Sequence, residues 1–135
     1  MGLIMDCLFC KIINQEIPSY KVYENEYVYS FLDVKPVSNG HLLIIPKKHF
    51  ENFSSCDDKY LQEVILAKKY LTNLLKEKLN PVGFNYLSNE NPISGQTVLH
   101  YHEHIMPKYE KEKGFILKVE IADINEVKET FNKII

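Results

Sequence analysis

Histidines occupy every second position from His100 to His104, and this spacing leaves few choices of local structure. Successive side chains on a β-strand point to opposite faces, so the pattern predicts a strand with His100, His102 and His104 on one face. The chain has only five histidines in 135 residues, and their concentration disfavours a merely solvated polar face. We expect this face to bind a metal or to supply a nucleophile. Both uses are compatible if different histidines serve each.

The rest of the chain predicts a mixed fold. Apolar residues recur at helical spacing from about residue 57 to 79, and Asn80-Pro81 ends that helix. Residues 7–14 and 123–134 predict a short helix near each end. Strands are expected at 21–24, 27–32, 41–46, 82–88 and 98–106. The predicted fold class is α+β, with an antiparallel sheet of about five strands around one long helix, in a single domain spanning residues 1–135.

Two details of these helices can be predicted as well. Ser55 and Asp58 have the spacing of a capping box at the start of the long helix. In the terminal helix, four apolar side chains are expected to face the core: Ile124, Val127, Phe131 and Ile134.

Composition excludes several classes of partner. The longest aliphatic run, residues 42–45, is far shorter than the roughly 20 residues of a membrane span, so no membrane partner is expected. The net charge is −2 with a pI near 6.2, which favours no nucleic-acid partner. All sixteen positive charges are lysines, so any phosphate site must use lysine, backbone N–H groups, hydroxyls, amides or histidine. The opening residues lack the basic cluster of a secretory signal, and a cytoplasmic location is expected.

Cysteines suggest a metal site. Cys7 and Cys10 form a C-x-x-C pair, which needs two further ligands to complete a tetrahedral zinc site. His49 is a candidate third ligand and His100 a candidate fourth, and such a closed set is structural rather than catalytic. Two other interpretations of the pair remain open: buried thiols without a metal, and a redox pair.

If His100 serves the metal, His102 remains as the nucleophile. Neutral imidazole attacks phosphorus without a separate base and forms a covalent phosphoramidate that water can hydrolyse. The residues just before the histidines suit a phosphate. Gly95 permits close backbone approach, while Gln96 and Thr97 offer neutral hydrogen-bond donors.

Together these motifs resemble the histidine-triad (HIT) superfamily. The segment from Gly95 to Pro107 is similar to its signature, His-φ-His-φ-His-φ-φ with φ apolar, including the Gly-Gln lead-in and the trailing proline. Segments upstream resemble the superfamily's Hint-like branch, at residues 7–13, 16–18, 31–33 and 40–49. The resemblance spans roughly residues 6–108. Glu103 departs from it at an apolar position, facing away from the histidines, and Lys108 stands where arginine is common.

The resemblance implies an enzyme with a HIT-like fold. Family members hydrolyse or transfer nucleoside monophosphate groups, commonly from adenosine phosphoramidates or dinucleoside polyphosphates. The implied reaction passes through a nucleotidyl-histidine. An AMP-containing nucleotide is therefore the expected substrate, and a homodimer the expected assembly.

The resemblance also implies roles for individual residues. His102 matches the nucleophile, and His41 matches a histidine that orients it. Contacts to the α-phosphate are implied for His104, Thr97 and Asn89, beside Gly95 and Gln96. Asp33 matches the ribose-binding carboxylate. The walls around the base are matched by Phe9, Ile12 and Phe31. The structural zinc set of many bacterial members is matched by Cys7, Cys10, His49 and His100.

Two other functions remain open at this stage. One is a metal-dependent hydrolase or cupin-like oxygenase that uses the histidine row as its metal ligands. The other is a non-catalytic, zinc-stabilised module that binds nucleotides.

Overall fold

A computed structural model describes residues 6–135, and the opening residues, on which the expectation about a secretory signal rests, lie outside this part. The described chain forms three α-helices: α1 (Leu8–Ile13), α2 (Asp58–Leu79) and α3 (Val127–Ile134). It forms five strands: β1 (Lys21–Glu24), β2 (Val28–Leu32), β3 (Leu42–Pro46), β4 (Gly83–Leu87) and β5 (Glu103–Lys108). The predicted α+β fold is confirmed. Among residues 6–135, the longest helix is too polar to cross a bilayer.

The five strands form one antiparallel sheet in the order β1-β2-β3-β5-β4. Strand β5 therefore lies between β3 and β4, and its residue His104 pairs with Leu43 on one side and Leu87 on the other. This register places His104 inside the sheet, near the point where β5 begins.

Strand β3 is buried on both faces, as its apolar composition predicts. Leu42 and Ile44 point to the face covered by α2, where they pack in the larger core cluster. Leu43 and Ile45 point to the other face, where they pack with α1 residues such as Phe9. The period of two in the strand thus divides one apolar run between two layers of core.

The strand that carries the histidines begins later than predicted. β5 starts at Glu103 and continues through Pro107 to Lys108, so His100 and His102 precede it. In place of the ladder, the ring of His100 donates its Nε2–H to the carbonyl of Pro46, at the end of β3, and the Tyr101 N–H donates to the carbonyl of Phe50. The prediction of a continuous strand from 98 to 106 is therefore wrong in its first half.

The predicted capping box at the start of α2 is also wrong. Asn52 and Ser55 instead cap a 3₁₀ turn, Phe53–Ser55, by reciprocal side-chain to backbone hydrogen bonds. Because Ser55 is committed to this turn, α2 begins after Asp57.

The terminal helix α3 forms, but it does not bury its apolar stripe. Ile124, Val127, Phe131 and Ile134 are between 57% and 83% exposed. The expectation that these residues face the core is wrong, because amphipathic spacing predicts a helix and not the surface that the helix covers.

Gly40 provides a test of how the chain before β3 packs against α2 and β5. Its φ of +90° lies in the left-handed region, and a β-carbon there would lie 2.6 Å from Leu79 Cδ1 and 3.3 Å from Pro107 Cγ. We expect Gly40→Ala to lower the free energy of unfolding by about 1–3 kcal/mol in urea denaturation. Gly83→Ala is the matched control, since a β-carbon there would meet open space among the described residues. Equal stability of the two variants would contradict this account.

Candidate active site and metal centre

Four side chains from three parts of the chain converge beside α1. Cys7 caps that helix, and its sulfur accepts a hydrogen bond from the Cys10 N–H at 3.4 Å. His49 follows β3, and His100 precedes β5. The ligand atoms of all four residues lie within 4.8 Å of one another, so the structure brings together the whole predicted metal set.

The spacing of these atoms fits a tetrahedral ion. Cys7 Sγ and His100 Nδ1 are 3.4 Å apart, as are Cys10 Sγ and His49 Nδ1, while His49 Nδ1 and His100 Nδ1 are 3.2 Å apart. A tetrahedron with Zn–S near 2.3 Å and Zn–N near 2.0–2.1 Å has edges of about 3.3–3.8 Å. The cluster is therefore positioned to bind a metal.

Protonation supports the same conclusion. The Nε2–H of His100 donates to the carbonyl of Pro46 at 2.9 Å, which leaves the Nδ1 lone pair directed at the cluster. Burial lowers the pKa of His100 to about 4, so the ring is neutral at pH 7. Burial, and then neighbouring Cys7, raises the pKa of Cys10 to about 12, so its thiolate forms only beside a cation.

A second cluster, formed by Asp33, His41 and His104, has a different character. The backbone N–H of Val37 donates to Nδ1 of His41 at 3.2 Å, so the proton of the neutral ring is on Nε2. That Nε2–H donates to Nδ1 of His104 at 2.9 Å. The neutral His41 ring thus has no lone pair free for a metal, and its hydrogen-bond partner is His104. The role of orienting His102, which the resemblance implies, stays a prediction.

His102 stands between the two clusters. Its Nδ1–H donates to the carbonyl of His100 at 2.8 Å, which leaves the lone pair on Nε2. The ring of Phe9 packs edge-on against it, with centroids 5.1 Å apart. Burial lowers the pKa of His102, and burial followed by its histidine neighbours lowers that of His104 to about 4. The site therefore presents neutral imidazoles at pH 7.

A cleft of about 370 Å³ is lined by His102 and His104. Five residues predicted to contact substrate line it: Phe9, Ile12, Phe31, Asp33 and Thr97. The prediction missed other apolar walls, namely Ile17, Pro18, Leu43 and Val98. The sequence contains Glu16-Ile17-Pro18 as a family-like motif, but it does not show that the motif lines the cleft. That position depends on the path of the chain after α1.

Of the predicted phosphate loop, Thr97 lines the cleft, whereas Gly95 and Gln96 do not. Both amide hydrogens of Gln96 are engaged, by the carbonyls of Glu51 and Val98, so this side chain holds the loop instead of offering free donors. Gly95 has a φ of +106°, and a β-carbon there would lie 3.1 Å from the amide nitrogen of Asn89. Asn89 and Gly95 are therefore neighbours, as their predicted shared role requires.

The sequence is similar to those of known proteins. A family model described as HIT domain matches residues 14–111. A HIT-like protein of Mycoplasma genitalium is 48% identical over 128 residues, which is 95% of this chain and 91% of that protein. An adenosine 5'-monophosphoramidase of Candida albicans is 42% identical over 112 residues, covering 80% of this chain and 74% of that enzyme.

Solved structures are similar as well. A HIT family protein from Bacillus subtilis superposes with a TM-score of 0.87 at 38% identity, covering 96% of this chain and 94% of that one. A zinc-bound histidine triad family protein from Mycobacterium smegmatis has a TM-score of 0.77 at 28% identity, covering 82% and 81% of the two chains.

Metal content tests the four-residue cluster. We expect the protein purified without chelator to carry about one transition-metal ion per chain, and Cys10→Ala to lose it with a clear drop in Tm, because the ion joins three segments. Cys56 is buried like Cys10 but lies outside the cluster, so Cys56→Ala should keep the ion. Elemental analysis of the three proteins decides the point. Full metal in Cys10→Ala would contradict the assignment.

Proposed function

The chain belongs to the HIT family, and from that premise we propose that it is a nucleotide hydrolase or transferase acting at the α-phosphate of an adenosine-type nucleotide. One arrangement carries the proposal: His102 is neutral, its Nδ1–H is held by the His100 carbonyl, and within residues 6–135 no group engages its Nε2 lone pair, while the ring lines a mostly apolar cleft. This is the state in which an imidazole acts as a nucleophile.

In the proposed reaction, Nε2 of His102 attacks the α-phosphorus and the bond from phosphorus to the leaving group breaks. The leaving amine or phosphate departs with the electron pair and takes up a proton. Water then attacks the nucleotidyl-His102, which releases the nucleoside monophosphate and restores the ring. The neutral ring attacks with its own lone pair, so the first step needs no base. The leaving group takes its proton from solvent in that step, and water returns one proton to solvent when it attacks in the second step, so the protons balance.

His104 supports this chemistry as a hydrogen-bond donor. Because its Nδ1 accepts from His41, the proton of the neutral His104 ring is on Nε2 and is available to a phosphate oxygen. Thr97 lines the same cleft and offers a hydroxyl. We assign Asn89, Gly95 and Gln96 to the loop that shapes this phosphate site. An arginine-free chain thus handles the phosphate with neutral donors.

Other residues of the cleft suit a nucleoside. Phe9, Ile12 and Phe31 would supply apolar walls for the base, and the carboxylate of Asp33, which lines the same cleft, would accept hydrogen bonds from a ribose. The relative named as an adenosine 5'-monophosphoramidase supports an adenosine phosphoramidate as the substrate class. A dinucleoside polyphosphate carries the same nucleotidyl group.

We further propose that the metal is a structural zinc ion. Cys7, Cys10, His49 and His100 would hold it, and the zinc-bound relative supports this choice of metal. When bound, zinc supplies a cross-link between the start of α1 and the segment that carries His102. A single domain and a cytoplasmic location stay predictions from the sequence.

The division of the histidine row argues against the metal-hydrolase alternative. Nδ1 of His100 faces the cysteine cluster, whereas Nδ1 of His104 accepts a hydrogen bond from the Nε2–H of His41. The row therefore does not converge on one ion. The non-catalytic alternative, a module that only binds nucleotides, differs from the proposal in forming no covalent adduct.

Single-turnover labelling tests the nucleophile. With an adenosine phosphoramidate labelled at the α-phosphorus, the wild-type protein should form an acid-labile adduct. His102→Ala should form none and lose at least about a thousandfold in turnover. Its Tm and zinc content should stay near wild type. Adduct formation by His102→Ala would contradict the assignment, and turnover lost to a chelator without unfolding would favour the metal hydrolase.

We also propose a homodimer. Strand β4 is an edge of the sheet, with Tyr86 exposed on it, and the neighbouring α2 exposes Ile65 and Leu66. An exposed edge beside an apolar surface favours pairing with a second copy, and a two-fold axis would cover both surfaces at once.

Solution mass tests the dimer. We expect about twice the 15.8 kDa of one chain by light scattering at micromolar concentration, and Leu66→Glu should shift the mass toward the monomer. Val22→Glu is the matched control, since Val22 is exposed on β1 at the opposite edge and should leave the dimer intact. A wild-type monomer would contradict the proposal.

A further inference from the structure

The nucleophile lies on a segment that the sheet does not hold. Pairing of β5 with β3 begins at Glu103, opposite Ile44, so the three residues from His100 to His102 precede the ladder. Outside the ladder, the Tyr101 N–H donates to the carbonyl of Phe50 at 2.6 Å, and the Ser88 hydroxyl donates to the carbonyl of His102 at 3.0 Å. The remaining restraints on this segment come from its own side chains. On the side of the cleft, the Nε2–H of His100 donates to the carbonyl of Pro46, and the Nδ1–H of His102 donates to the carbonyl of His100.

The opposite side of the segment is held by a buried polar chain. Tyr101 is 1% exposed and Glu103 is 6% exposed. The Tyr101 hydroxyl donates to Oε2 of Glu103 at 2.5 Å, and Nζ of Lys68, on α2, donates to Oε1 at 3.0 Å. Both carboxylate oxygens are thereby engaged. Nζ of Lys68 also lies 4.6 Å from the centre of the Tyr86 ring.

The chemistry of this chain makes its geometry strict. A buried carboxylate is tolerated only when its charge and its oxygens are satisfied, whereas an apolar residue at the same position could shift without such a loss. In this bond the Tyr101 hydroxyl is the donor and the Glu103 carboxylate is the acceptor. The bond from Tyr101 to Glu103 therefore fixes two residues that flank His102.

We propose that Tyr101, Glu103 and Lys68 are positioning residues that hold the backbone at His102 from the side opposite the cleft, and thereby aim its imidazole. The inference rests on the proposed function, because the aim of His102 matters only if His102 reacts. It gives a role to the carboxylate at an otherwise apolar position of the family signature.

Three single variants, one double variant and one control test this role. Tyr101→Phe removes only the hydroxyl, Glu103→Leu removes the carboxylate, and Glu103→Gln keeps an oxygen that can accept from Tyr101. Tyr29→Phe is the control: Tyr29 is also buried in the sheet, and its hydroxyl pairs with Ser19 at 2.8 Å. Each protein is measured for zinc content, for KM and for the single-turnover rate of adduct formation.

We expect Tyr101→Phe to slow adduct formation about tenfold, with KM within twofold of wild type and zinc unchanged. Glu103→Gln should retain most of the rate, and Glu103→Leu should resemble Tyr101→Phe. The double variant Tyr101→Phe/Glu103→Leu should be no slower than Glu103→Leu alone, because both changes break the same bond. A Tyr101→Phe rate equal to that of Tyr29→Phe would overturn the proposal.

A second readout does not depend on activity. The Nδ1–H of His102 should appear in imidazole NMR spectra as a slowly exchanging proton in wild type and in Tyr29→Phe, and should exchange at least tenfold faster in Tyr101→Phe. Unchanged exchange would overturn the positioning role. If the wild type forms no adduct, the proposed function fails, while the exchange measurement still decides whether this chain holds His102.

Discussion

The hydrogen bond from the His100 ring to the carbonyl of Pro46 joins the main parts of this structure. It lies just beyond the last pair of the ladder between β3 and β5, and it directs the remaining lone pair of His100 to the cysteine cluster, while the His100 carbonyl accepts from His102. A local change at this bond would therefore reach the sheet, the candidate metal centre and the candidate nucleophile together. His100, which makes all of these contacts, is accordingly fully buried.

Burial has a second consequence for the site. The rings of His41, His102 and His104 are kept neutral because the protein interior disfavours their charged forms. Two fixed tautomers follow from the partners: the His41 Nε2–H donates to Nδ1 of His104, and the His102 Nδ1–H donates to a carbonyl. Within the described part of the chain, the result is one ring with an unengaged lone pair next to one ring with an unengaged N–H. A phosphate group can use both at once.

Much of this could be predicted from sequence where the signal is local. The helical spacing of α2 and the apolar run of β3 predicted the correct elements, because in each segment the positions of the apolar residues indicate which side chains are buried. Gln96 shows the limit: its amide was a plausible phosphate donor, yet it is committed to Glu51 and Val98, and such partners are distant in the chain or set by loop geometry. The terminal helix shows the same limit, since its stripe does not state what covers it.

The residue types and their spacing determined the chemistry of this protein: two cysteines three positions apart, histidines at alternate positions, and a glycine before them. Only the tertiary structure decided how the histidines divide their work. Histidines at alternate positions predict a shared face, but the chain joins the sheet only at Glu103. His100 therefore turns to the cysteine cluster, and His104 pairs with His41. The physical reason is competition for polar partners. A buried ring takes the hydrogen bonds that its surroundings offer, and those surroundings come from segments far apart in sequence.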